Sequence, residues 1–201
     1  MNDRPAVRRA ELADVGELSA MLMRAFEDDP VARWAFPPEG PRRGALRRFQ
    51  ELRLHQLIAE EEVWMAADHS CAALWAPPER WRKTLREDAV FARCFAHPHL
   101  LRRLPLVAAG WMAVERRHPA APAHYYLAVL GTDPAHQGRG LGSALLAPVL
   151  ECCDHDGVGA FLESSKARNI DFYARHGFRV REELRLPRGP RVWTMWREPL
   201  G

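Results

Sequence analysis

Lysine is nearly missing from this chain of 201 residues. Of 29 basic residues only Lys83 and Lys166 are lysine, a bias that fits codon composition better than a mechanism. Charge of one sign is lacking too. The net charge of +3 permits an anionic ligand but gives no argument for a nucleic-acid partner. Cysteine is scarce. Cys71, Cys94, Cys152 and Cys153 form no CxxC spacing and no Cys/His metal pattern. They read as buried reduced thiols of a cytoplasmic protein. His97, His99, His118, His136, His155 and His176 also lack metal-like spacing, so no metal is expected. No apolar run approaches the ~20 residues of a membrane span, and the polar opening MNDRPAVRRAELADV does not resemble a signal peptide. No membrane partner is therefore expected. Repeats and low-complexity stretches are absent. With 47% hydrophobic and 27% charged residues, the chain reads as a single globular domain over residues 1–201.

The apolar pattern predicts a mixed α/β order. Residues 5–10 read as a strand. Leu12, Val15, Leu18, Met21, Leu22 and Phe26 mark a helix that Asp28-Asp29-Pro30 should stop. Residues 37–41, rich in proline, predict a loop. A second amphipathic helix then runs to Ile58, with Arg43, Arg47, Arg48 and Arg53 on a solvated face. Residues 63–68 and 71–76 read as a hairpin. The stretch 79–122 is helical but broken at Pro98 and Pro105. Strand 124–132, helix 141–153 (kinked at Pro148), strand 158–163, helix 167–176 closed by Gly177, and a strand pair over 178–186 and 191–197 complete the order. Trp34, Trp75, Trp81 and Trp111 are expected in the core or in pocket walls.

The chemistry is concentrated in Leu130-Gly-Thr-Asp-Pro-Ala-His-Gln-Gly-Arg-Gly-Leu-Gly-Ser143. A strand ends, Asp133-Pro134 turns the chain, and a glycine-rich loop enters a helix at Leu141. Without Cβ atoms, Gly138, Gly140 and Gly142 allow a ligand or another backbone to come close. Unpaired N–H groups of the first helical turn and the positive end of the helix dipole would make an anion site there, with Arg139 at its rim. The pattern is neither GxGxxG nor a P-loop. A glycine turn that only packs a helix on a strand remains the alternative for the glycines alone.

The next segment narrows the reading. Gln137-Gly-Arg-Gly140-Leu-Gly142, followed about twenty residues later by Phe161-Leu-Glu163, Asn169, Tyr173 and Gly177-Phe178, resembles the GNAT N-acetyltransferase superfamily. Asp133 to Gln137, Leu141 to Ser143 and Gly189 to Met195 are most similar to its puromycin N-acetyltransferase branch. The resemblance implies a GNAT fold: a mixed, mostly antiparallel central sheet with a splayed parallel strand pair and flanking helices. The cofactor-binding core would span about 124–180. Acetyl-CoA would be the co-substrate. The main chain of Leu130, Gly131 and Thr132 would hold its pantetheine arm, residues Gln137, Gly138, Arg139, Gly140, Leu141, Gly142 and Ser143 its pyrophosphate, and Asn169 would touch it from the next helix.

The same resemblance implies direct transfer to an amine. Tyr173 would protonate the leaving thiolate, its alternative being simple packing on the helix face. Glu163 would accept the amine proton, its alternative being a structural carboxylate. Asp28 and Asp29 could attract a cationic amine, although turn chemistry alone would explain them. Tyr125 is expected to line the acceptor channel. The expected acceptor is a small-molecule primary amine, for example a puromycin-like aminonucleoside antibiotic, and the expected protein a monomer or homodimer. A protein N-terminal or lysine acetyltransferase and a non-catalytic acyl-CoA sensor stay open as alternatives.

Overall fold

In a computed structural model, which describes residues 6–37, 39–60, 62–82 and 85–200, the short apolar runs join edge to edge in one sheet. Its strands are β1 (Val7–Arg9), β2 (Val63–Ala66), β3 (Cys71–Ala76), β4 (His124–Thr132), β5 (Gly159–Ser164), β6 (Arg179–Arg185) and β7 (Arg191–Arg197). Their order is β1-β2-β3-β4-β5-β7-β6, and only the β4–β5 pair is parallel. This is the mixed, mostly antiparallel architecture expected.

Helices α1 (Val15–Ala25), α2 (Pro30–Ala35), α3 (Glu39–Ile58), α4 (Leu85–Ala92), α5 (Pro98–Leu101), α6 (Leu104–Glu115), α7 (Leu141–Asp156) and α8 (Ile170–Ala174) surround the sheet. One face is covered by α1 and α3. Leu18, Met21, Leu22, Leu54 and Leu57 pack there on Met65, Leu74 and Val129. The other face is covered by α7, whose Leu145, Leu146 and Val149 meet Trp75, Leu127, Leu162 and Met195. Each such buried side chain contributes about 1.5–3 kcal/mol. A third cluster joins Trp34, Phe36, Phe95 and Val107 to Leu184 and Val192 of the β6–β7 hairpin. It holds α2 and α6 over one end of the sheet.

Local chemistry explains where the elements depart from the sequence reading. Helix α1 ends at Ala25, ahead of Asp28-Asp29-Pro30 as expected, but Asp29-Pro30 also starts the next helix. The Asp29 carboxylate accepts from the Val31 and Ala32 amides at 2.8 and 3.0 Å, and Pro30 sits at the first helical position. Similarly, α3 begins at Glu39, inside the predicted loop. Pro41 falls in its first turn, where the amide has no helical partner to lose. Pro38 of that loop and Pro5 of the predicted first strand lie outside the described residues. Pro98 and Pro105 stand at helix starts. Pro148 lies within α7 without ending it. Burial pushes the thiols of Cys71 and Cys94 up to about 11 and that of Cys153 up to about 12. Cys152, expected to be buried, is exposed. Among the described residues no helix is long and apolar enough to cross a membrane, and no cluster of His, Cys, Asp and Glu could hold a metal ion.

Candidate active site

The site begins where two strands part. β4 and β5 pair from His124↔Gly159 to Leu127↔Leu162, and no further. Beyond that point Glu163 and Ser164 pair only with β7, while Val129 to Thr132 pair only with β3. A bulge assists the parting. Leu74 faces Val129 and Trp75 faces Leu127, so Ala128 is the extra residue. The β5-facing backbone groups of β4 past Leu127 therefore have no strand partner, which leaves hydrogen-bonding capacity for a ligand in the opening.

A cleft of about 440 Å³ follows from this opening. Leu130, Gly131 and Thr132 form one wall, and Asn169 and Tyr173 line another. Gly138 and Gly140 both have φ of +78°, a left-handed conformation that side chains other than glycine's rarely adopt. Gly140 is the N-cap of α7, so the free amides of the first turn face the loop. Gln137 braces the loop by donating from Nε2 to the Thr132 carbonyl at 3.3 Å. Ser143 Oγ is bonded to His176 Nε2 at 2.9 Å. A Cβ on Gly142 would stand 3.2 Å from Phe172 Cζ, so this glycine sets how closely α8 approaches α7. Tyr173 is buried. Desolvation, aided by the negative charge of Asp29, lifts its phenol well above the ordinary tyrosine value.

A second cavity, of about 230 Å³, adjoins the cleft. Its walls are aromatic: Phe26, Trp34, Phe36, Phe49, Trp81, Trp111 and Tyr126. Its polar groups are Asp29, Gln50, Arg53, Glu115, His118 and Glu163. Phe26, Asp29, Ala128, Val129, Glu163 and Ser165 line both spaces and form the wall between them. The Glu163 side chain is 13% exposed, and its Oε1 lies 3.7 Å from His118 Nδ1. Tyr126 reaches the same carboxylate with its hydroxyl. Burial first, and Glu163 second, push that phenol well above its usual value.

A model described as the Acetyltransferase (GNAT) family matches residues 69–178. The chain belongs to the GNAT acetyltransferase family. Its members are acyl-CoA-dependent acetyltransferases, and the matched stretch contains the glycine loop and most of the cleft lining. An uncharacterized N-acetyltransferase of Schizosaccharomyces pombe is 24% identical over 198 residues, covering 91% of this chain and 78% of that protein. A mycothiol acetyltransferase of Kineococcus radiotolerans is 34% identical over 141 residues, 66% of this chain but 44% of the relative. The chain thus spans less than half of that protein. Among solved structures, a Corynebacterium glutamicum protein described as histone acetyltransferase HPA2 and related acetyltransferase superposes with a TM-score of 0.70. It is 25% identical, with 98% of both chains covered. An agmatine N-acetyltransferase superposes with a TM-score of 0.66 at 19% identity, covering 98% of this chain and all of the other.

Within this GNAT framework the structure brings most of the sequence-predicted residues to one cleft, and sets three apart. Arg139 is exposed, donates to the Ala135 carbonyl at 3.4 Å and does not line the cleft. Asp28 lines neither cavity. It is paired with Lys166 at 2.6 Å and Arg168 at 3.5 Å, and these cations lower its pKa. Tyr125 is on the other face of β4 from the one expected. It packs against the cluster under α7, while Tyr126, one residue on, lines the aromatic cavity. Strand side chains alternate, so an error of one residue exchanges core for cavity. The solvated face expected on the second helix also needs correction. Arg53 is 9% exposed and lines the aromatic cavity, though Arg43, Arg47 and Arg48 do face solvent. Trp81 stands in the wall of this cavity, one of the two places expected for it. Sequence reasoning missed His118 and Gln50. No motif marks them. Only the folding of α3 and the end of α6 over the sheet brings them to this cavity.

Proposed function

We propose that the chain transfers the acetyl group of acetyl-CoA to the primary amine of a small molecule with an aromatic or otherwise apolar body. One observation carries this reading: Glu163 lines the thioester cleft and the aromatic cavity at once. An ammonium entering through the cavity meets a carboxylate at the end of apolar walls. The half-enclosed shape suits a small molecule better than a polypeptide.

The chemistry then has three requirements. Glu163 takes a proton from the ammonium and frees the nucleophilic lone pair. The nitrogen attacks the thioester carbonyl, whose oxygen is steadied by main-chain amides of β4. The tetrahedral intermediate collapses, the C–S bond breaks, and Tyr173 donates its proton to the thiolate. Because burial keeps the phenol protonated, it is ready as an acid throughout the neutral range. Asp29 adds negative charge at the wall, although its carboxylate is already held by the first amides of α2 and by Ser165 Oγ. Gly138, Gly140 and the first turn of α7 bind the pyrophosphate, and the protein acts in the cytoplasm, where acetyl-CoA is supplied.

Thiol release from acetyl-CoA with a panel of amines tests the reading. The panel should contain arylalkylamines, puromycin (which joins an amine to an aromatic ring) and the dications agmatine and spermidine. Turnover with the aromatic monoamines ahead of the dications is expected. Binding of acetyl-CoA without turnover of any amine would make the chain a sensor instead.

A further inference from the structure

Behind Glu163 stands a pair of histidines that the transfer chemistry has not yet used. His124 Nδ1 lies 2.8 Å from the Pro122 carbonyl oxygen. A carbonyl only accepts, so this nitrogen carries the proton. Burial, the largest influence, lowers the His124 pKa, which favours the neutral ring with a lone pair on Nε2. That lone pair lies 2.9 Å from His118 Nε2, which must therefore donate to it. The remaining nitrogen of His118, Nδ1, faces Glu163 Oε1 at 3.7 Å. In a neutral His118 two lone pairs would oppose each other there. A proton on Nδ1 turns the same contact into attraction.

Aromatic rings enclose His118. Trp81 stacks on the His118 ring, with centroids 3.7 Å apart and planes at 18°, the arrangement that stabilises a cation over an indole face. Phe161 and Tyr126 stand edge-on at 4.5 and 4.7 Å. The charged and titratable groups around the pair come from five elements. They are Glu163 on β5, His124 and Tyr126 on β4, Glu115 on α6, Arg53 on α3 and, acting on His124, Arg181 on β6.

We propose that His118 is the proton store of the reaction, receiving at Nδ1 the proton that Glu163 removes from the acceptor ammonium. The inference rests on the acetyl transfer proposed above. The balance is simple. One proton of the ammonium goes to Glu163 and on to His118, which becomes an imidazolium held by Glu163, Trp81 and His124. The second proton lost by the nitrogen replaces the one Tyr173 gives to the thiolate. One proton per turnover is left over, and it leaves His118 for solvent as the amide product departs. The 3.7 Å gap closes by a small rotation of the carboxylate or ring, since such contacts commonly tighten only with substrate bound.

Two measurements test this. In the full chain, ring-nitrogen NMR should show neutral His124 protonated on Nδ1 and neutral His118 protonated on Nε2. A neutral His118 protonated on Nδ1 would overturn the proposal. The second measurement uses an amine that the wild-type chain acetylates. His118→Ala should lower kcat/KM by roughly 10²–10⁴-fold near neutral pH. The deficit should shrink as pH rises and more amine is already free base, imidazole in the buffer should restore part of the rate, and the acetyl-CoA Kd should be unchanged. His118→Phe, which keeps a ring against Trp81, should be equally slow but not rescued. Wild-type rates in His118→Phe, or a deficit in His118→Ala that is the same at every pH and indifferent to imidazole, would refute a proton role. If the wild-type chain turns over no amine, the transfer reading itself fails, and the NMR tautomers alone decide the histidine chain.

Discussion

Replacing Gly131 by alanine should weaken the protein at strand β4, where the cleft opens. A Cβ at this position would lie 2.6 Å from Leu22 Cδ2, 3.0 Å from Phe26 Cε2 and 3.3 Å from Ala25 Cβ. The first contact is impossible without movement. Leu22 is fully buried between α1 and the sheet. The end of the Leu22 side chain must move, or helix α1 must retreat with it. Overpacking of this kind typically costs about 1–3 kcal/mol. For a domain of this size each kcal/mol lowers the melting temperature by about 2–4 °C, so a drop of roughly 4–8 °C is expected for a cost near 2 kcal/mol. Because Phe26 lines both cavities, the KM values should rise as well. Urea denaturation of a double-mutant cycle decides the matter. Leu22→Ala alone should cost about 2–5 kcal/mol. In the double variant the new methyl partly fills the space vacated, so the two costs should fall short of additivity by about 1–2 kcal/mol. Additivity within about 0.5 kcal/mol would show that the clash with Leu22 is not the cause.

Tyr173→Phe should lower kcat by about 10²–10⁴-fold while calorimetry finds the acetyl-CoA Kd unchanged; an unaltered kcat would remove the phenol from the mechanism. Since burial lifts that phenol above its ordinary value of 10.0, the wild-type rate should show no fall from its ionisation up to that pH. Gly140→Val forces a β-branched residue to φ of +78° and should weaken acetyl-CoA binding at least about tenfold, read by calorimetry. Asp14 is held well below the usual carboxylate range, chiefly by Arg8 at 2.7–2.8 Å. The folded state therefore binds fewer protons there than the unfolded one. The stabilisation is complete above about pH 4, near the ordinary aspartate value, and fades as pH falls below it. Asp14→Asn should lower stability at neutral pH and flatten the acid limb of a urea-midpoint profile, and a parallel profile would contradict the assignment.

The fold was legible because periodicity and punctuation agreed over most of the chain. The hairpin at 63–76, strands β4 and β5 and helix α7 follow from apolar runs and the glycines that bound them. The glycine loop was legible for a stronger reason: two glycines at positive φ and the helix start they feed are local, so the sequence writes them contiguously. The acceptor cavity was not legible. Its walls come from α2, α3, α6 and the segment at Trp81, elements distant in sequence that meet largely through the third core cluster. Helix α2 was hidden because Asp29-Pro30 has the same residues whether it ends one helix or caps the next. Tyr125 was misplaced because β4 carries tyrosine at both phases, and the bulge at Ala128 shifts the alternation further along the strand.

The wall at Glu163 divides the molecule by chain segment as well as by space. Most of the aromatic chamber is drawn from residues before 119, whereas the glycine-loop cleft is built mainly from residues 127–175. Under the proposed transfer, the choice of amine can be altered in the first stretch with the second left intact, and trade between the two is restricted to the few residues that face both ways.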